Sequence, residues 1–265
     1  MSNTIAFVSI KGGVGKTTLA LETASSLAND YKKKVLLIDA NFSAPNIGLY
    51  LNLTNEITLH DALSGVPLHN TIYEAHGMDI IPADLHYNDP IDPTKLKKLL
   101  EKFKTRYDYI IIDSSPNYEE LKPVIAAADK IFLVSSPDHV TLETTMKAAI
   151  AAKEENTPIH GIIVNKIRSP QHEMNLAQIE EFSNIPVVAK IKSNKGMARA
   201  LYYQRPLGLL EPTSAISKEI KKFSSAICGE PEFQNKLLEK LLTKISKEKI
   251  NRDLLRQNFY ESQIR

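Results

Sequence analysis

Seven short stretches of this 265-residue chain are mostly apolar, and helical patterns lie between them. A run such as Tyr109-Ile110-Ile111-Ile112 has no polar face, which is typical of a strand buried on both sides in a parallel sheet. Strands that alternate with helices form right-handed β–α–β units, so we expect an α/β fold in which helices cover both faces of a mostly parallel sheet. The predicted strands are residues 5–9, 35–39, 78–82, 109–113, 131–135, 161–165 and 187–191. The predicted helices are residues 17–29, 93–105, 118–127, 142–155, 175–183 and 196–203.

Composition limits the class of protein further. Apolar residues make up 43% of the chain, enough for a large core without disulfides, and Cys228 is the single cysteine. Residues 1–9 are too short and too polar for a signal peptide, and no apolar run approaches the roughly 20 residues that span a bilayer. The formal net charge is only +2, so bulk charge does not argue for nucleic-acid binding. We therefore expect a cytoplasmic protein.

The strand–helix alternation stops near Gly229, so we predict a globular domain of residues 1–228 and a helical tail of residues 229–265. Residues 233–250 contain five lysines and two glutamates, and their apolar residues recur at helical spacing. This apolar face consists of Phe233, Leu237, Leu238, Leu241, Leu242 and Ile245. Such a basic amphipathic helix can lie on an anionic membrane, pair with another helix, fold back on its own domain or bind a partner protein. The pattern leaves these alternatives, and disorder, open.

A glycine-rich stretch connects the first predicted strand to the first predicted helix. It reads Ile10-Lys11-Gly12-Gly13-Val14-Gly15-Lys16-Thr17-Thr18. Glycines let successive backbone N–H groups face an anion, and the helix N-terminus adds partial positive charge. We therefore predict a phosphate-binding loop in which Lys16 contacts the β- and γ-phosphates of a nucleotide and the Thr17 hydroxyl binds Mg²⁺. The predicted nucleotide-binding residues of this loop are Gly12, Gly13, Val14, Gly15, Lys16, Thr17 and Thr18.

Two other predicted strands end in carboxylates. Asp39 closes the second strand and is followed by Asn41, and Asp113 closes the fourth strand. Ligands bind at the carboxyl ends of parallel strands, so both aspartates should lie beside the phosphate-binding loop. With Thr17 they form the predicted Mg²⁺ site.

Residues 11–18 closely resemble the deviant Walker A motif of the MinD/ParA family of P-loop ATPases, which tolerates a residue other than glycine at the position of Ile10. The resemblance extends over about residues 3–225 and is nearest to archaeal MinD-like proteins. It implies a three-layer P-loop NTPase fold, ATP and Mg²⁺ as cofactors, and a homodimer that forms on ATP binding. Lys11 would then contact the nucleotide of the partner subunit, where an added cation stabilises the transferring phosphoryl group. Asp113 resembles the Walker B aspartate, which binds Mg²⁺ through water.

The sequence departs from the family pattern at Asn41. The family usually has Asp-x-Asp at residues 39–41, and its second Asp positions the attacking water. An amide orients water through its carbonyl oxygen but does not accept a proton as a carboxylate does. We therefore predict slow hydrolysis of ATP to ADP and phosphate that depends on dimerisation or a partner. The predicted catalytic residues are Lys11, Lys16, Asp39 and Asn41. Asn165 ends the sixth predicted strand, where the family's Asn contacts adenine.

The resemblance implies a spatial-positioning switch that acts on a membrane or on a regulatory protein partner. Attachment would be peripheral, at the inner face of the cell membrane, through residues 233–245. The main alternative is a ParA-like DNA-partitioning ATPase, which would bind non-specific DNA through basic residues. Its candidate contacts are Arg199, Arg205, Lys218, Lys221 and Lys222. An iron–sulfur scaffold or reductase would need more cysteines, and a tyrosine kinase of this fold would need a tyrosine cluster in the tail. The seven histidines show no metal-ligand spacing, and we interpret them as surface or turn residues.

Overall fold

In the computed structural model of the protein, which describes residues 2–54, 56–87, 92–168 and 171–230, eight strands form one sheet. The strand order is β3-β4-β2-β5-β1-β6-β7-β8, and every pairing is parallel except that of the edge strand β3 with β4. The strands are β1 (Asn3–Val8), β2 (Val35–Ala40), β3 (Tyr73–Ala75), β4 (Met78–Ile81), β5 (Tyr109–Ser114), β6 (Lys130–Ser135), β7 (Ile159–Ile167) and β8 (Val187–Lys192).

Helices cover both faces of the sheet because the strands are apolar on both sides. On β5, Ile110 and Ile112 pack into one core and Ile111 packs into the other. The helices on the first face are α3 (Leu59–Ser64), α4 (Leu96–Glu101), α5 (Tyr118–Ala127), α6 (His139–Glu154) and α7 (Leu176–Ser183). Those on the second face are α1 (Lys16–Asn29), α2 (Ile47–Tyr50), α8 (Gly196–Tyr202), α9 (Leu207–Leu210) and α10 (Ala215–Cys228). The predicted three-layer α/β architecture with a mostly parallel sheet is therefore confirmed.

The main difference from the prediction is α10, which the sequence analysis did not assign. Ile216, Ile220 and Phe223 recur at helical spacing and are buried against the second core. The helix therefore has a clear apolar face, and its periodicity was available in the sequence. The short strand β3 and the short helices α2, α3 and α9 were also not predicted, because elements of three to six residues carry little periodic signal.

Helix α10 ends at Cys228, and Gly229 follows with a left-handed φ of +67°, a conformation that glycine adopts without steric cost. The domain boundary at residue 228 stays a prediction, and the predicted amphipathic face at residues 233–245 lies outside the described residues. Among the helices that the structure describes, none has the length and apolar character needed to cross a membrane.

Candidate functional site

The glycine-rich loop of residues 10–15 lies between β1 and α1, at the carboxyl edge of the sheet. Gly13 and Gly15 have positive φ angles of +75° and +99°. A Cβ on Gly15 would also lie 2.3 Å from Nδ2 of Asn165. Only glycine fits at residue 15, because φ is positive there and a side chain would collide with Asn165. Helix α1 begins at the next residue, Lys16.

Two residues near the end of β7 hold the glycine-rich loop in shape. The Asn165 amide donates to the carbonyl oxygen of Val14 (2.8 Å), and the Lys166 ammonium donates to that of Gly13 (2.5 Å). Asn165, which was predicted to contact a base, therefore uses its nitrogen on the loop backbone. Lys166 was not predicted as a site residue, since a lysine near the end of a strand is usually only solvated.

The two lysines of the motif have different surroundings. Lys16 is 6% exposed, and its ammonium donates to the carbonyl oxygen of Lys11 (3.4 Å). Burial lowers the pKa of Lys16, against the opposing influence of the Asp113 charge. Lys11 is exposed at the surface of the loop, as are Gly12 and Gly13, whereas Val14 is buried. The arrangement therefore presents one cation inside the site and a second one outside it.

Asp39 and Asp113 lie side by side, because β2 and β5 pair with these two residues in register. Both are fully buried. Burial raises the pKa of Asp39 to about 6, although three hydrogen bonds from backbone N–H groups act to lower it. Burial and the charge of Asp39 raise the pKa of Asp113 to about 8, although the hydrogen bond from the Thr17 hydroxyl and the charge of Lys16 act to lower it. Two neighbouring carboxylates in a buried place are costly unless a cation or a proton compensates them.

Each carboxylate has a different set of hydrogen-bond partners. Oδ2 of Asp113 accepts from the Thr17 hydroxyl (2.6 Å), while its Oδ1 is buried and has no partner among the described residues. Oδ2 of Asp39 accepts from the N–H groups of Asn46 and Ile47, each at 2.9 Å, and its Oδ1 accepts from that of Asn41 (3.1 Å). Asp39 therefore anchors the loop of residues 41–47, and Asp113 keeps a free acceptor.

Asn41 is 6% exposed and presents its carbonyl oxygen without a partner among the described residues. Its amide nitrogen donates to the carbonyl oxygen of Ala44 (2.5 Å), which fixes the orientation of the amide because a carbonyl accepts only from the NH₂ side. The backbone N–H of Ser43 donates to Glu120 (3.2 Å), which further holds this loop. The geometry therefore leaves Asn41 as a hydrogen-bond acceptor beside the paired carboxylates.

A cavity of about 530 Å³ lies beside the glycine-rich loop, and Lys11, Val14, Asp39 and Asp113 are not among its lining residues. Gly12, Gly13, Lys16, Thr17, Thr18, Asn41 and Asn165, all predicted as site residues, line it. Other lining residues, including Glu22 and Tyr50, were not predicted. Tyr50 is half-buried, and burial together with the charges of Asp113 and Asp39 raises its pKa. No motif marks these positions, because they enter the cavity only through the packing of α1 and α2.

The interpretation of all seven histidines as surface or turn residues is wrong for two of them. His60 is 3% exposed, and its Nδ1 accepts from the N–H of Asp84 (3.1 Å). Its ring packs between Phe42 (5.7 Å between ring centroids) and Tyr87 (4.6 Å). His160 is 9% exposed and packs edge-on against a core phenylalanine of β6. Burial lowers the pKa of both imidazoles.

A strand, a glycine-rich loop and a helix that meet at one cavity, close to two strand-ending carboxylates, define the P-loop class of nucleotide-binding proteins. Known proteins resemble this chain over most of its length. A family model described as an AAA domain matches residues 2–157, and a second model of that description matches residues 115–200. An uncharacterized ATP-binding protein of Methanocaldococcus jannaschii is 28% identical over 253 residues, which cover 93% of this chain and 95% of that protein.

Solved structures agree with this assignment. The cell division ATPase MinD of Pyrococcus furiosus superposes with a TM-score of 0.80 at 26% identity, over 86% of this chain and 99% of that chain. The septum site-determining protein MinD of Pyrococcus horikoshii, in complex with Mg-ADP, gives a TM-score of 0.79 at 25% identity, over 92% of this chain and 100% of that chain. The chain belongs to the MinD/ParA family of P-loop ATPases.

Proposed function

We propose that this protein binds ATP with Mg²⁺ in the cavity and hydrolyses it to ADP and phosphate. One observation carries the proposal: the Thr17 hydroxyl, the unpartnered oxygen of Asp113 and the ammonium of Lys16 belong to one buried group beside the glycine-rich loop. The Pyrococcus horikoshii MinD structure contains Mg-ADP, which supports the same ligand here.

The residues present fit a divalent cation. The donors are a hydroxyl and carboxylate oxygens, which Mg²⁺ prefers, and the raised pKa of Asp113 marks a place where positive charge is needed. Thr17, Asp39 and Asp113 would hold the ion together with phosphate oxygens. When bound, Mg²⁺ neutralises phosphate charge during phosphoryl transfer. Asp39 would act mainly through the loop that it anchors, because both of its oxygens already accept from backbone N–H groups.

Phosphate binding would rest on the loop and on the start of α1. The backbone of residues 12–18 offers N–H groups at a helix N-terminus, and Lys16 adds a buried positive charge. Asn165 would meet the base with the carbonyl oxygen that its contact to Val14 leaves available.

Water activation would be slow, because Asn41 orients a water molecule without accepting its proton. The buried carbonyl oxygen of Asn41 is suited to this task, since its amide nitrogen is engaged by Ala44. We infer that the lone protein turns over ATP more slowly than about one per second, the low end of ordinary enzymes.

We further infer that ATP binding drives dimerisation and that Lys11 acts on the nucleotide of the partner subunit. The exposure of Lys11, beside a site whose inner cation is already Lys16, supports this role. The dimer would engage a membrane surface or a regulatory protein, and hydrolysis would release it. This positioning role, the cytoplasmic location and the peripheral attachment through residues 233–245 rest on the family.

The test compares Lys11→Ala with the wild-type protein by sedimentation velocity in ATP and in ADP, together with phosphate release. We expect a wild-type dimer in ATP alone, and a variant that still binds nucleotide but neither dimerises nor hydrolyses. Lys97→Ala is the matched control, because Lys97 is also an exposed lysine but lies on α4, away from the cavity. Equal dimerisation and turnover of wild type and Lys11→Ala would contradict the role in trans.

Membrane attachment is tested separately by co-sedimentation with anionic liposomes in ATP and in ADP. We expect the full chain to pellet in ATP and a chain that ends at Cys228 to stay in solution. A full chain that remains in solution in both nucleotides would remove the membrane from the proposal and leave a protein partner.

The DNA-partitioning alternative is not favoured by the described surface. Arg199 pairs with Glu211, and Lys221 pairs with Asp30 (2.9 Å), so two of the five basic residues considered for DNA contact already have acidic partners. Charges neutralised in this way contribute little to phosphate binding.

A further inference from the structure

Glu22 is a buried carboxylate in the wall of the cavity that no sequence motif predicts. It lies on α1, one helical turn after Thr18, and is 3% exposed. Burial raises the pKa of Glu22, against two hydrogen bonds from backbone N–H groups. Among the described residues no lysine or arginine forms an ion pair with it. A buried carboxylate without a cation is costly, so its hydrogen bonds must matter to the structure.

Both carboxylate oxygens of Glu22 bind the first turn of α9. Oε1 accepts from the N–H of Leu207 (2.6 Å), and Oε2 accepts from the N–H of Gly208 (3.0 Å). The preceding residue, Pro206, provides no side-chain cap, so the free N–H groups of this turn are satisfied by Glu22 from another helix. A four-residue helix is not stable by itself, so its position depends on contacts with other segments, of which these two hydrogen bonds and the burial of Leu207 are examples.

Helix α9 in turn supports α8. A Cβ on Gly196 would lie 3.2 Å from the Cδ1 methyl of Leu207, which shows that Leu207 packs directly on the first turn of α8. Arg199 of α8 pairs with Glu211, which follows α9. Met197, Ala198, Ala200 and Leu201 of the same helix line the cavity. Displacement of α9 would therefore move one wall of the cavity.

The wall of the cavity has two chemically different parts. One part consists of glycines 12, 13 and 15 and the start of α1, which bring a helix N-terminus and the ammonium of Lys16 to the cavity. The other part contains Met197, Ala200 and Leu201 of α8, and such apolar surface suits a planar base rather than phosphate. Helix α8 is therefore better suited to contact the nucleoside part of a ligand than its phosphates.

We propose that Glu22 is a positioning residue that holds α8, through α9, against the nucleoside part of the bound nucleotide. This inference rests on the proposed function, since it assumes that the cavity binds a nucleotide. It makes a specific prediction: loss of Glu22 weakens binding of nucleotides but leaves binding of the bare phosphate chain unchanged.

The experiment measures dissociation constants for ATP, ADP and inorganic tripolyphosphate, each with Mg²⁺, by isothermal titration calorimetry. We expect Glu22→Ala to weaken ATP and ADP by about tenfold or more, because two hydrogen bonds to a charged acceptor are lost. Tripolyphosphate binding should stay within about twofold of wild type. Glu22→Gln preserves the packing but offers one acceptor oxygen, so we expect an intermediate loss for the nucleotides, and it provides the test if Glu22→Ala does not fold.

Glu180→Ala is the matched control. Glu180 is also a helical carboxylate that accepts from a backbone N–H, that of Val187 at 2.7 Å, but it lies on α7, on the other face of the sheet. Its loss should lower stability and leave all three dissociation constants unchanged.

The outcomes separate this inference from the function on which it rests. Wild-type affinity of both Glu22 variants for ATP would overturn the inference alone. Equal losses for ATP and tripolyphosphate would also overturn it, because they would indicate general damage to the site. A wild-type protein that binds tripolyphosphate but no nucleotide would overturn the proposed function as well.

Discussion

Replacement of Asp113 by Asn should stabilise the metal-free protein while removing its response to Mg²⁺. Asp113 is fully buried next to Asp39, and its Oδ1 has no partner among the described residues. Asn keeps the size of the side chain and an acceptor for the Thr17 hydroxyl, and it removes the negative charge. The expected gain in stability is therefore electrostatic, and it comes with the loss of the response to Mg²⁺.

The magnitude follows from the pKa of Asp113, which is raised from 3.8 to about 8. The folded protein then binds a proton that the unfolded chain releases, so stability rises as the pH falls through 8 towards 3.8 and is lowest above pH 8. At pH 7.5 the raised pKa of Asp113 therefore lowers the free energy of unfolding by about 5 kcal/mol as an upper limit. The buried amide of Asn retains part of the desolvation cost, so we expect a net gain of about 2 kcal/mol, or about 4–8 °C in Tm for a domain of this size.

The assay is thermal unfolding in EDTA and in Mg²⁺ with ADP, at several pH values from about 6 to 9. Wild-type Tm in EDTA should rise as the pH is lowered across this range, and Asp113→Asn should show a weaker dependence, because a titrating group with a raised pKa has been removed. Addition of Mg²⁺ and ADP should stabilise the wild type more than the variant.

Asp39→Asn is the control, because Asp39 is the register partner of Asp113 but uses both oxygens to accept from three backbone N–H groups. An amide nitrogen in place of one oxygen leaves an N–H group unsatisfied, at a cost of about 1–3 kcal/mol. Asp113→Asn should therefore be more stable than Asp39→Asn. Equal Tm values for the two variants, or an Asp113→Asn protein less stable than wild type in EDTA, would refute the electrostatic reasoning.

Three further predictions concern the glycine-rich loop, the catalytic rate and the acid stability. Gly15→Ala should abolish nucleotide binding in a filter or fluorescence assay, since the new Cβ would lie 2.3 Å from Nδ2 of Asn165 at a φ of +99°. Normal nucleotide affinity of this variant would contradict the steric argument. Asn41→Asp should raise steady-state phosphate release by about tenfold or more, because a carboxylate accepts the proton of the attacking water; an unchanged rate would show that proton acceptance does not limit turnover. His160→Gln should reduce the loss of stability between pH 6.5 and 4, because burial and then the charge of Lys130 lower the pKa of His160 to about 4, and the unfolded chain binds the proton first. His160 contributes at most about 3 kcal/mol to the wild-type loss over this window. Identical pH profiles of the two proteins in denaturant titrations would contradict this contribution.

Much of the fold and part of the site follow from local sequence. Runs such as residues 109–113 are apolar on both faces, so burial between two helical layers is the only arrangement that removes them from water. The glycine-rich loop is equally local, because its glycines, lysines and helix start lie within one short segment. The edge at which Asp39 and Asp113 meet follows from the direction of parallel strands.

The histidines and α10 show where local reasoning fails in two different ways. Helix α10 has an apolar face at Ile216, Ile220 and Phe223, so this helix was predictable from the sequence alone although it was not predicted. His60 has no local signal, because its burial depends on Phe42 and Tyr87, which come from two other segments.

By itself, the sequence determined the parallel sheet, the place of the glycine-rich loop and the identity of the charged groups around it. Only the tertiary structure decided that Asp113 keeps an unpartnered oxygen while Asp39 anchors a loop, and that Glu22 binds α9 across 185 positions of sequence. The physical reason is that a motif acts within a few residues along the backbone. The hydrogen-bond partners and the pKa of a buried group depend instead on which distant segments pack against it.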